Sequence, residues 1–165
     1  MKKLFTTLFL FAILGINAQG FKGKGDLKFD LGTNLQNGGT GIRVSTDFGI
    51  GENMSYGFVS SYLLSVNTDV LGNKPEFIDR FDAKVRFNAN IGNVLKLNSK
   101  MDVYPGLDLG IRNFGAHLGV RYFFTDGFGV YSEAGIPLAK YDPTSIGFEN
   151  LNNQFVINIG ASFNL

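Results

Sequence analysis

The chain of 165 residues has no cysteine, no tryptophan and a single histidine, and only 18% of it is charged. Without cysteine there is no disulfide framework, no thiolate metal site, no thiol nucleophile and no acceptor for the lipid of a bacterial lipoprotein. Long apolar runs are also missing: beyond the first residues nothing approaches the ~20 apolar residues that a membrane-spanning helix needs, which excludes a helical membrane protein. A hydrophobic share of 44% excludes a disordered chain as well, because such a chain cannot bury enough apolar surface to offset its conformational entropy. What the chain does have is glycine, 22 residues of it. Its length suits one domain with a real core.

Lys2 and Lys3 precede an apolar stretch at 4–16, and Asn17-Ala18-Gln19 follows with a small residue at the cleavage position. This is the pattern of a secretory signal peptide over residues 1–18, cut after Ala18, with residues 19–165 as the mature domain. The stretch is too short for a membrane span and is interrupted by Thr6, Thr7 and Gly15. Loss of Lys2 and Lys3 takes the basic count from 15 to 13 against 14 acidic residues, so the mature chain is near neutral. A nucleic-acid partner is not expected, since the basic footprint it requires is missing.

From Leu27 onward the chain alternates. Leu27, Phe29, Leu31, Thr33 and Leu35 share one parity, with Lys28, Asp30, Gly32 and Asn34 on the other, and this is the period of a strand with two unlike faces. The same alternation recurs around Val44, Phe58, Val85, Leu107, Leu118, Val130 and Ile159, which makes eight strands of about ten residues. Turn residues separate them. The spacing predicts tight turns after strands two, four and six, with long loops after strands three and seven at 66–77 and 138–153. Short turns on one rim and long loops on the other suit an outer-membrane barrel whose termini face the periplasm. The expected fold is all-β: an eight-stranded antiparallel up-and-down transmembrane β-barrel.

None of the apolar-parity positions in these strands carries a charge, as lipid contact demands. The opposite parity mixes glycine, serine and asparagine with charges of both signs, whereas the solvent face of a soluble lipocalin-like barrel would be rich in lysine and glutamate. An eight-stranded lumen is only wide enough for side chains to fill it, and charges buried there need partners. The expected lumen charge network is Arg43, Asp47, Arg80, Asp82, Lys84, Arg86, Asp102, Asp108, Arg112, Arg121 and Glu133, with Asp26, Lys28, Asp30 and Lys100 on the same parity. A turn centred near Val94 would set Arg86 against Asp102 and Arg80 against Asp108 as lumen ion pairs. Pro105 falls mid-strand on the apolar parity, where it removes a ladder hydrogen bond, and a bulge beside Gly106 is expected.

Residues 158–165 read Asn-Ile-Gly-Ala-Ser-Phe-Asn-Leu. This segment resembles the C-terminal insertion signal of outer-membrane β-barrels, carried here by Asn158, Gly160, Phe163 and Leu165, although the last residue of that signal is usually aromatic. Residues 102–107, 119–126 and 131–135 likewise look like strand motifs of the small outer-membrane β-barrel family of Gram-negative bacteria, which includes OmpX-like and OmpA-barrel-like proteins. The resemblance implies the fold, an outer-membrane location in contact with its lipid, and handling by the barrel-assembly machinery. It implies no activity.

Several functional classes remain at this point. One is a non-enzymatic, monomeric envelope barrel with a structural role or a loop-mediated partner. A lipid-modifying enzyme would need histidine near serine and carboxylate on one rim, and His117 has no such neighbours in sequence, so it is expected to be a polar lumen filler. A lumen filled with long charged side chains leaves little aqueous path, which argues against a general pore. A secreted or periplasmic lipocalin-like ligand-binding barrel is the soluble alternative. No cofactor or metal set is expected: Asp69 and Glu76 in the first long loop are too sparse for a calcium cage. Asp142-Pro143-Thr144-Ser145 is turn chemistry in the second loop, and those two loops are where a partner would bind.

Overall fold

A strand with two unlike faces leaves its backbone donors and acceptors unpaired at both edges, and a ring of such strands pairs them all. The computed structural model describes residues 19–67, 74–142 and 148–165. Its strands are β1 (Leu27–Gln36), β2 (Gly39–Gly49), β3 (Met54–Val66), β4 (Phe81–Ala89), β5 (Met101–Gly110), β6 (Asn113–Phe123), β7 (Phe128–Lys140) and β8 (Val156–Asn164). Each pairs antiparallel with its sequence neighbours, and β8 returns to β1 to close the barrel. The expected eight-stranded up-and-down β-barrel is the observed fold. The leader at 1–18, Asp69 and the turn residues Pro143, Thr144 and Ser145 lie outside the described residues.

The rim that carries the start of β1 and the end of β8, here the terminal rim, also carries the connections 50–53, 90–100 and 124–127. The distal rim carries the two-residue turns 37–38 and 111–112 and the two long connections. One of these contains the helix α1 (Phe77–Arg80), and the other ends in a 3-10 turn (Phe148–Asn150).

Two expectations are corrected here. The connection after β4 is not tight, because residues 90–100 fold on themselves. Leu97 N–H donates to Gly92 O and Lys96 N–H to Asn93 O, each at 3.0 Å, with Lys96 in the left-handed region at φ 54°. This pairing is a Schellman-type closure, which uses residues that a tight turn would have left to the strands. The register moves with it, so that Arg86 faces Asp108 rather than Asp102, and Arg80 is the last residue of α1 rather than a strand residue facing Asp108. Pro105, in turn, forms no bulge. The β4–β5 ladder stops at Asn88↔Gly106, and Ile91 N–H then bonds Val103 O at 2.8 Å in the register of Phe87↔Leu107. Proline therefore leaves a gap in an otherwise regular seam. Register shifts occur instead at Thr40/Gly41 and Phe114/Gly115.

The two strand faces are inverted relative to a soluble protein. Leu31, Ile42, Phe58, Val85, Leu109, Leu118, Phe124 and Ile159 are exposed on the outer wall, while Asp30, Arg43, Asp47, Arg86, Arg121 and Glu133 are buried within. Long inner side chains need space opposite them, and glycine supplies it. A Cβ on Gly119 would lie 2.1 Å from the Tyr104 ring, and one on Gly106 would lie 2.4 Å from His117 Nε2.

Candidate functional site

The polar parity of the strands converges on the lumen, where the long side chains meet in layers. Nearest the terminal rim, Lys28 Nζ pairs with Asp26 at 2.6 Å and lies 5.0 Å from the centre of the Phe123 ring. Above it, Arg121 donates to Asp30 Oδ2 at 2.7 Å and to Asp47 Oδ2, with Asp102 at 3.9 Å. Asp30 is completed by Ser162 Oγ (2.6 Å) and Ser45 Oγ (3.2 Å), and Asp102 by Asn90 Nδ2 (2.7 Å). Tyr104 separates this layer from the next. The Arg121 guanidinium carbon lies 3.9 Å from its ring centre and that of Arg86 5.4 Å, both within cation–π range.

In the next layer Glu133 is shared. Arg43 Nη2 donates to one of its oxygens and Arg86 Nη2 to the other, each at 2.7 Å, and Arg86 Nε lies 3.4 Å from Asp47 Oδ1. His117 fills the adjoining space, with Nδ1 2.9 Å from Asp108 Oδ2 and Nε2 2.8 Å from both Arg86 Nη2 and Asn88 Oδ1. Toward the distal rim Lys84 Nζ stands 3.5 Å from Asp82. Guanidinium forks hold several carboxylates at once, which is how buried charges of both signs are compensated here.

Of the residues expected in the lumen network, the structure brings together Arg43, Asp47, Asp82, Arg86, Asp102, Asp108, Arg121 and Glu133, all buried, with Lys84 half-buried beside Asp82. Two do not lie in it. Arg80 ends α1 on the distal rim, and Arg112 lies in the β5–β6 turn, where its Nη2 donates to Ile78 O. Both sit just beyond strand ends, where the turns break the alternation used to place them.

The β7–β8 connection supplies residues that alternation does not reveal. Leu151, Asn152 and Asn153 are buried in the distal mouth. Asn152 N–H donates to Gln36 Oε1 at 2.7 Å, and Asn113 Nδ2 donates to Asn152 O and Asn153 Oδ1, each at 3.0 Å. Asn152 takes the left-handed region at φ 59°, which asparagine tolerates better than most residues. Beneath this plug is a cavity of about 30 Å³ lined by Asn34, Asp82, Asn113, Glu133 and Asn158, room for a water or two. The run Asn150-Leu151-Asn152-Asn153 was the available signal: amides that can satisfy loop backbone, around one leucine. Among the described residues no group of three or more histidines and carboxylates has the geometry to hold a metal ion.

The segment 158–165 closes the barrel. Asn158 is buried in the lumen, Gly160 faces Gly32 across the β1–β8 seam, Phe163 packs against Phe29 and Phe128, and Leu165 N–H donates to Leu27 O at 3.0 Å.

The fold has counterparts among solved structures. A de novo designed transmembrane β-barrel superposes with a TM-score of 0.58 at 8% identity, covering 87% of this chain and 98% of that one. The N-terminal β-barrel domain of Pseudomonas aeruginosa OprF superposes with a TM-score of 0.57 at 11% identity, covering 87% of this chain and 100% of that domain. At such identities the likeness is one of fold. No curated protein matches the chain. The sequence model that does match spans residues 10–165, and by it the chain belongs to a family of unknown function, DUF6646.

Proposed function

We propose that this protein is an integral outer-membrane β-barrel with a structural or loop-binding role at the cell surface, exported by its leader and neither enzymatic nor a general pore. The observation that carries the proposal is the inversion of the strand faces: an uncharged apolar wall outside, and compensated ion pairs inside. A soluble ligand-binding barrel would expose its polar face and keep its apolar one for the ligand. An exposed apolar band around a whole barrel far exceeds the few hundred Å² that soluble monomers leave uncovered. Strands of nine to thirteen residues are long enough to cross a bilayer when tilted.

The lumen supports the non-enzymatic, non-conducting part. His117 has a carboxylate partner in Asp108, but its Nε2 faces a guanidinium and an amide rather than a nucleophilic hydroxyl, and the ring is buried. Arg86, Arg121 and Tyr104 cross the middle of the lumen, and Leu151 to Asn153 fill its distal mouth. The two long distal connections, outside α1 and the buried 151–153, are left for a partner. Segment 158–165 is assigned to recognition by the assembly machinery, since it forms both seams that close the ring.

The test is fractionation of the native envelope, gel mobility with and without boiling, and planar-bilayer recording of the purified protein. Recovery with the outer membrane, a heat-modifiable band, a mature N-terminus at Gln19 and no steady conductance are expected. Recovery in the soluble fraction would overturn the membrane assignment, and a stable open channel would overturn the closed lumen.

A further inference from the structure

On the distal rim, α1 presents Phe77 and Ile78 outward, 66% and 56% exposed. The Phe77 ring lies 5.4 Å from Tyr62 and stacks on Phe81 at 5.7 Å with the planes 14° apart. Tyr62 and Phe81 are paired residues on the outer parity of β3 and β4, so α1 continues the apolar wall upward without a polar break. The helix is also fixed in that orientation. Arg112 donates to Ile78 O, Asn152 Nδ2 donates to Arg80 O at 3.2 Å, and Glu76 N–H donates to Asp79 Oδ2 at 2.8 Å. Two carbonyls of this turn are thereby tied to the rim, while Phe77 lies over Tyr62 and Phe81, and Ile78 lines an open groove beside Ile111 and Tyr141.

We infer that α1 is an interfacial lipid anchor: its Phe77–Ile78 face enters the boundary between headgroups and acyl chains of the outer leaflet, so that the β3–β4 connection grips the membrane instead of standing free in water. The occupant of this face is a lipid surface because the face is continuous with the wall that the barrel already presents to lipid. Tyr62, against which Phe77 packs, is the amphipathic kind of ring that favours that depth, and apolar side chains such as Phe77 and Ile78 are what an interfacial helix buries there. The anchor rests on the membrane assignment proposed above, and its test separates the two.

Since the chain contains no tryptophan, one introduced indole is the only one present and can be excited apart from the six tyrosines at the long-wavelength edge of absorption. Phe77→Trp and Ile78→Trp would be made separately in the full barrel, folded into phosphatidylcholine vesicles whose acyl chains carry bromine either near the headgroup or near mid-chain. Leu118→Trp, at the middle of the outer face of β6, reports the wall, and Asn37→Trp, at the exposed β1–β2 turn, reports water. Heat-modifiable mobility confirms that each variant has folded, and either α1 variant suffices if the other does not. The expected result for α1 is emission blue-shifted from that of Asn37→Trp, marked loss of intensity with bromine near the headgroup, and weak quenching by aqueous iodide. Strong iodide quenching without bromine quenching would overturn the anchor by placing α1 in water. Insensitivity to both would overturn it by placing the face against protein, a second copy included. If Leu118→Trp also escaped bromine quenching, the membrane assignment would fail, and the anchor with it.

Discussion

Arg121 shows how a charge is kept inside this barrel. Its planar fork reaches Asp30 and Asp47 together, and its face lies on Tyr104, which fits beside it because position 119 has no side chain. Lysine, a point charge on a flexible stem, cannot replace that geometry. Arg121→Ala leaves buried Asp30 without its cation and Asp47 with Arg86 alone, and a loss of ~3–5 kcal/mol in unfolding free energy is expected. Arg121→Lys should fall between the variant and the parent. Urea titration of the vesicle-folded proteins measures both, and a loss for Arg121→Ala no larger than that of an exposed charge would contradict the network. Parity alone assigned Arg121 to a shared face with Asp47 and Asp102. It could not assign partners: Asp102 is paired with Arg121 on the neighbouring strand but stands 3.9 Å away, while the closer contacts to Asp30 and Asp47 cross the lumen from strands not hydrogen-bonded to β6.

At the scale of the element, the β4–β5 seam departs most from regular pairing. Val103 and Pro105 aim their backbone groups at the same side, toward β4, so the missing proline donor falls where Ala89 O would have accepted it. Because the register is the same on both sides of the gap, Pro105→Ala can restore the bond without moving a strand. A gain of ~0.5–1.5 kcal/mol is expected, together with slow hydrogen exchange at the new amide. Fast exchange there would show that the strands have diverged. The anomaly at Pro105 was legible in the sequence, but its form was not: a bulge and a gap cost the chain the same donor, and only the register of β4 against β5 distinguishes them. The turn at 90–100 escapes the alternation for a related reason. Its hydrogen bonds are local and compete with strand extension, and alternation does not register that competition. The helix α1 and the plug at 151–153 are likewise set by contacts to distant strands.

Across the whole molecule, the inverted faces divide substitutions into two classes. Leu118, 54% exposed at the middle of β6, has only the surrounding medium to meet, so Leu118→Arg tests what that medium is. In a bilayer the change should cost ~2–4 kcal/mol, falling toward zero for the same substitution near either rim. Unfolding titrations in vesicles measure the difference, and an equal, small effect at all depths would mean a wall facing water.

The sequence by itself determined the period, and with it the number of strands, their up-and-down order and the face each residue shares. Side-chain alternation is a local property of an extended chain, and an even count of two-faced strands without crossovers has few ways to close. The tertiary structure decided the rest: that Glu133 joins Arg43 and Arg86, that Arg80 and Arg112 stand on the rim, that Pro105 interrupts a seam, and that Leu151 enters the mouth. Those outcomes depend on register and closure, which bring together side chains more than a hundred residues apart, as with Ser162 and Asp30, and no local pattern encodes such a distance.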